Sequence, residues 1–161
     1  VSQQNPSQVI PAPTNLRLKV GASRLGAIDA AAIAKAEAAL KNLSGNFAQW
    51  LQDEIGKLDA ARQQVKTDGV TPQTMENVYL RAHDLKGLGT TYGYQLITRI
   101  AGSLCRLIDE KDKRLGASMA LIDAHIDAIK AAVRENMKAD DHPIGAALAA
   151  ELERRVKEAG C

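Results

Sequence analysis

The sequence predicts an all-α protein: an antiparallel up-down-up-down four-helix bundle with one extra helix at each end. Three observations carry this. Apolar residues recur at helical spacing through most of the chain, the stretches between them are short, and aromatic residues are only 3% while alanine is abundant. Few aromatics and abundant alanine argue against a β-sandwich and against a stacking platform for nucleic acid. Short links between long amphipathic helices make neighbours antiparallel. At 161 residues, 45% hydrophobic and 25% charged, the chain is long enough for one domain with a real core.

Residues 1–14 are polar and proline-bearing and read as a loose tail. Leu16, Leu18 and Val20 alternate with basic or polar residues, so the tail is expected to pass into an extended arm ending near residue 26. Residues 27–161 then form one helical domain, with a bundle core at about 45–138 and accessory helices at about 29–42 and 144–158. Asp29 caps the first of these, and Ile33, Ala36, Leu40 and Leu43 give it an apolar edge. Ser44-Gly45-Asn46 is expected to end it. The next helix, residues 47–66, carries Phe47, Trp50, Leu51, Ile55, Leu58, Ala61 and Val65 on one stripe, which makes Trp50 a core residue.

Thr71 and Pro72 have the chemistry of a cap and a first helical position, and Gly93 that of a stop. The third helix therefore spans about 72–93. A fourth follows at about 94–110, with Leu96, Ile97, Ile100, Leu104, Leu107 and Ile108 apolar. The charged run from Asp109 to Arg114 reads as a solvated helix end and loop. A fifth helix, at about 117–138, buries Leu121, Ile122, Ile126, Ile129 and Val133. His142-Pro143 sits before the last helix, where His142 can help start it, and Leu148, Leu152 and Val156 line one side.

The third helix holds the unusual chemistry. At about 100° per residue, Met75, Val78, Tyr79, Ala82, Leu85, Gly89 and Tyr92 share the core side. His83 falls roughly 115° from the centre of that stripe and faces outward, with Lys86, Gly87 and Thr90 as near neighbours. A neutral imidazole is a nucleophile at cytoplasmic pH. A phosphoryl group placed on it brings negative charge that Lys86, one turn on, can offset. Gly87 costs about 1 kcal/mol relative to alanine in a helix interior, and clearance for an approaching active site offsets that cost. Gly89, on the core side, lets a neighbouring helix come close.

Ala82-His83-Asp84-Leu85-Lys86-Gly87, followed by Tyr92-Gly93 and Leu96, resembles the signature of histidine-containing phosphotransfer (HPt) domains of two-component phosphorelays. The resemblance covers about residues 45–138, and Leu88 departs from the small residues the family often carries there. It implies a phosphocarrier that accepts a phosphoryl group on His83 from the aspartate of one response-regulator receiver domain and passes it to another. Lys86 stabilises the phosphate. Tyr79, Gly87, Leu88 and Thr90 are the expected docking residues. The partners implied are receiver domains, free or within a hybrid sensor kinase, and the magnesium ion belongs to the receiver. The carrier itself needs no cofactor.

Other chemistries find little support. Cys105 and Cys161 form neither a disulfide framework nor a metal site; Cys105 reads as a small buried hydrophobe and Cys161 as exposed. No histidine pair has metal-ligand spacing, so no metal is expected, and His125 reads as packed or half-exposed. No glycine-rich nucleotide loop occurs, so a kinase with its own ATP site is not expected. A kinase dimerisation module would need an ATPase domain in the same chain, and these residues hold no such pattern. Asp53-Glu54 and Asp140-Asp141 are adjacent pairs that do not face one another on a helix. A net charge of +2 predicts neither a nucleic-acid nor a membrane partner. With no signal-peptide pattern and no membrane-length apolar run, a cytoplasmic protein is expected. A monomer is expected because one bundle completes itself. The competing expectation is a helical adaptor that binds a signalling partner and never carries phosphate.

Overall fold

The computed structural model describes residues 30–161; the expected tail, arm and Asp29 cap lie outside the described residues. Every regular element within them is helical: α1 (Ala30–Asp68), α2 (Pro72–Thr91), α3 (Gln95–Leu107), α4 (Lys111–Arg114), α5 (Met119–Arg134) and α6 (Pro143–Glu158). The chain divides into two compact units, residues 1–42 and 43–161. In the first, the described residues are helical, and Ile33 and Leu40 are exposed.

α1 corrects two expectations. It runs unbroken through Ser44-Gly45-Asn46, where a break was expected. A lone helix-interior glycine costs only about 1 kcal/mol, and asparagine little more than half of that, so neither forces a stop. Trp50 is 50% exposed rather than in the core. Its ring lies 5.6 Å from Phe47 and 6.5 Å from Tyr92, while Phe47 stacks on Tyr92 at 4.9 Å. The fully helical α1 instead buries Leu51, Ile55, Leu58, Ala61 and Val65.

α2 is set at both ends by local chemistry. The Thr71 hydroxyl accepts from the Thr74 amide at 3.1 Å, and the Thr74 hydroxyl accepts from the Thr71 amide at 3.0 Å. This reciprocal cap precedes Pro72. At the far end the Tyr94 amide donates to the Gly89 carbonyl (2.7 Å) and the Gly93 amide to Thr90 (3.2 Å). Gly93 takes φ 75°, which a glycine adopts without strain. The chain therefore turns directly into α3. Asn136, at φ 53°, plays the same part after α5, with Met137 donating to Ala132 and Asn136 to Val133. That ends α5 at Arg134, short of the expected residue 138. His142 caps α6, its Nδ1 accepting from the Gly145 amide at 3.3 Å.

α3 lies at the centre, packed against α2, α5 and α6; α5 also meets α6. Leu96, Ile97, Ile100, Ala101 and Leu104 from α3 are fully buried with Met75, Val78, Ala82 and Leu85 from α2 and Ile122, Ile126 and Ile129 from α5. α2 comes close to α3 at Gly89, where an added Cβ would stand 2.9 Å from the Thr98 amide nitrogen. α1 meets α2 through a 3.2 Å bond from Asn77 to Gln64, and the residue capping α2 through the Phe47–Tyr92 stack. It meets α5 through charge: the nearly buried Arg62 donates to Asp127 at 2.6 Å and pairs with Asp59, Lys66 reaches Asp123 at 3.3 Å, and Lys130 reaches Asp59 at 3.0 Å. Arg99 grips Glu153 of α6 with two bonds, at 3.0 and 2.8 Å.

The charged run after α3 is not simply solvated. Arg114 is 4% exposed, and its guanidinium donates to the carbonyls of Ile108 (2.6 Å) and Asp109 (3.1 Å). A buried arginine thus satisfies carbonyls that the end of α3 leaves open. No helix among the described residues is long and apolar enough to cross a membrane.

Candidate functional site

α2 buries Ala82 and Leu85 completely, and this fixes His83 between them on the opposite side, exposed. His83 borders a groove of about 550 Å³ between α2 and α1, lined also by Arg81, Asp84, Gly87, Leu88, Glu54 and Lys57. Each carboxylate on this groove has a cation beside it: Lys57 bonds Glu54, and Arg81 stands 3.5 Å from Asp84.

The expected site residues divide into two flanks. Gly87 and Leu88 share the groove with His83; Gly87 is exposed and Leu88 half-buried. A Cβ on Gly87 would meet nothing within 4 Å, so no packing constraint from the protein requires glycine there. Lys86, Thr90 and Tyr79 lie towards α3. The Lys86 stem passes over Gly102, the Thr90 hydroxyl lies 3.0 Å from that of Thr98, and the Tyr79 hydroxyl donates to Asp109 at 2.9 Å. The hydrogen bond to Asp109 and then burial raise the Tyr79 phenol above its ordinary pKa. The ring of Tyr79 stands 6.1 Å from that of His83, tilted by 36°.

His125 and Cys105 serve structure. His125 is fully buried; its Nδ1 donates to the Leu121 carbonyl at 2.7 Å, so Nε2 accepts from the Ser103 hydroxyl at 3.0 Å. Burial pushes its pKa below the ordinary value. Burial likewise pushes the Cys105 thiol up to about 11, far from a reactive thiolate. Among the described residues no cluster of histidine, cysteine and carboxylates could hold a metal ion.

Sequence reasoning did not reach Glu54, Lys57, Gly102, Asp109 or Arg114. Glu54, Lys57, Gly102 and Arg114 come from other helices and Asp109 from the link after α3, and helical periodicity within α2 carries no signal for them. No family model matches the chain, and no curated protein or solved structure matches it.

Proposed function

We propose that this protein is a histidine phosphocarrier that takes a phosphoryl group from the aspartate of one receiver domain onto His83 and gives it to another. The observation that carries the reading is the surroundings of His83: exposed, beside a glycine with open space over its Cα, and three residues before an exposed lysine. The likeness of this stretch to the HPt signature supports it further.

In the forward step the lone pair of the unprotonated ring nitrogen forms the N–P bond. The P–O bond to the receiver aspartate breaks, its carboxylate leaves with the electron pair, and the ring sheds the proton from its other nitrogen. Transfer to the second receiver reverses these changes. The magnesium ion and the acidic pocket are assigned to the receiver, as the resemblance implies. Lys86 offsets the charge of the phosphoryl group, and the rigid helix holds the nucleophile in place. The protein is then a reactant that cycles, with no small-molecule substrate of its own, and it works as a monomer in the cytoplasm.

We assign α1 from residue 43, α2, α3 and α5 as the four helices of an up-down-up-down bundle, with α6 outside. Contacts running from α1 to α2, α2 to α3, α3 to α5 and α5 back to α1 support that arrangement.

The test is incubation with phosphorylated receiver domains. Wild type is expected to acquire an acid-labile, base-stable phosphoryl group and His83→Gln none; labelling of His83→Gln overturns the assignment. The adaptor reading draws on one observation, the exposure of Leu43 and Trp50 on α1. Partner binding that survives His83→Ala, in cells where that variant is fully functional, would favour it.

A further inference from the structure

We infer that Asp109 and Arg114 position the His83 imidazole through Tyr79, which makes Tyr79 a positioning residue in place of the docking contact the sequence leads one to expect. The inference rests on the proposed role of His83 as phosphoacceptor.

Tyr79 precedes His83 by one helical turn, and the separation of their rings, 6.1 Å, lies in the range at which aromatic rings attract. An imidazole on an open helix surface exchanges among staggered rotamers. A fixed wall on one side removes part of that freedom, and Tyr79 is such a wall. Its hydroxyl donates to Asp109 Oδ1 at 2.9 Å, which fixes the tip. The guanidinium carbon of Arg114 sits 4.4 Å from the ring centroid, which fixes the face. Arg114 is itself held by the carbonyls of Ile108 and Asp109. Asp109 therefore ties down the phenol with its carboxylate and the arginine with its carbonyl.

This gives the short helix α4 a place in the site. The chain leaves α3, turns through Asp109 and returns Arg114 beneath Tyr79 of α2, a contact the two helices share. If α4 only closed the end of α3, Arg114 would need its carbonyl partners alone. The observed guanidinium also covers the ring that abuts His83.

Orientation is where such a device acts, because transfer between two fixed centres is steep in alignment. The experiment uses the full chain with isotope-labelled histidine. Wild type is expected to show ring-to-ring NOEs between Tyr79 and His83 and side-chain couplings of one dominant His83 rotamer. Tyr79→Leu is expected to average those couplings and to lower transfer roughly ten-fold at saturating phosphorylated receiver, with the half-saturating concentration unchanged. Tyr79→Phe and Asp109→Asn, which keep the ring, are expected to give smaller changes in the same direction and carry the test if Tyr79→Leu does not fold. A single His83 rotamer retained in all three variants overturns the inference. So does a loss confined to the half-saturating concentration, which marks Tyr79 as a docking contact. If wild type takes no phosphoryl group from any receiver, the proposed function fails, and the couplings still decide whether Tyr79 positions His83.

Discussion

The side chain of Lys86 lies along Gly102. A Cβ on Gly102 would stand 3.8 Å from Cε and 3.9 Å from Cδ of Lys86, which is ordinary contact distance. Gly102 is buried while Lys86 remains exposed, so α3 supports the stem and leaves the ammonium in water.

That contact separates two substitutions. Gly102→Ala is expected to leave Lys86 in place and to stabilise the protein by up to about 1 kcal/mol, since alanine favours a helix interior. Gly102→Leu is expected to displace the stem. Loss of one charge-assisted bond to the phosphoryl group is then expected to shorten the phosphohistidine lifetime about ten-fold, the equivalent of roughly 1.4 kcal/mol. Lys86→Ala is expected to give a similar loss. Decay of the phosphorylated form at wild-type rate in both variants would remove Lys86 from the site.

The two glycines of α2 are expected to respond in opposite directions. A Cβ on Gly89 would meet the Thr98 amide nitrogen at 2.9 Å and the Tyr94 carbonyl at 3.1 Å, both backbone atoms that cannot swing away. Gly89→Ala is therefore expected to cost about 1–3 kcal/mol by overpacking. Gly87→Ala meets nothing and is expected to gain up to about 1 kcal/mol, yet to slow phosphotransfer if the site needs clearance. Thermal unfolding and transfer rates on both variants check the pair; equal effects on stability would contradict it.

His125 makes stability depend on pH. Its folded pKa lies below the ordinary 6.5, because burial disfavours the charged ring. The Leu121 carbonyl and Ser103 hydroxyl face it, and the charge of Arg106 lowers it further. The unfolded chain thus binds the proton more readily. The contribution is complete above pH 6.5 and is lost as pH falls from there towards the folded pKa. Denaturant unfolding between about pH 7 and about pH 5 should show wild type weakening. The slope should be smaller in His125→Gln, and an unchanged slope there would contradict the assignment.

Much of α2 was legible because its boundaries are local. Thr71, Pro72 and Gly93 announce the ends, and periodicity alone puts His83 opposite Ala82 and Leu85. The same signal marked the end of α5 at Asn136, but asparagine announces a left-handed position less firmly than glycine does. Gly45 misled because a glycine weakens a helix without stopping it. Trp50 misleads because helical spacing places it on the same stripe as Leu51, and only Leu51 turns inward. Arg114 and Asp109 were hidden altogether. The value of Asp109 to Tyr79 spans 30 residues of chain and that of Arg114 more, and a charged run looks the same whether it is solvated or folded back.

In the proposed phosphocarrier the phosphoryl group resides on one ring nitrogen of His83. Phosphorus NMR of the protein labelled with nitrogen isotope in its histidines, after reaction with a phosphorylated receiver, tests it most directly. One phosphorus signal is expected, split by an imidazole nitrogen and absent from His83→Gln. A signal without nitrogen coupling, or one that persists in His83→Gln, would contradict it.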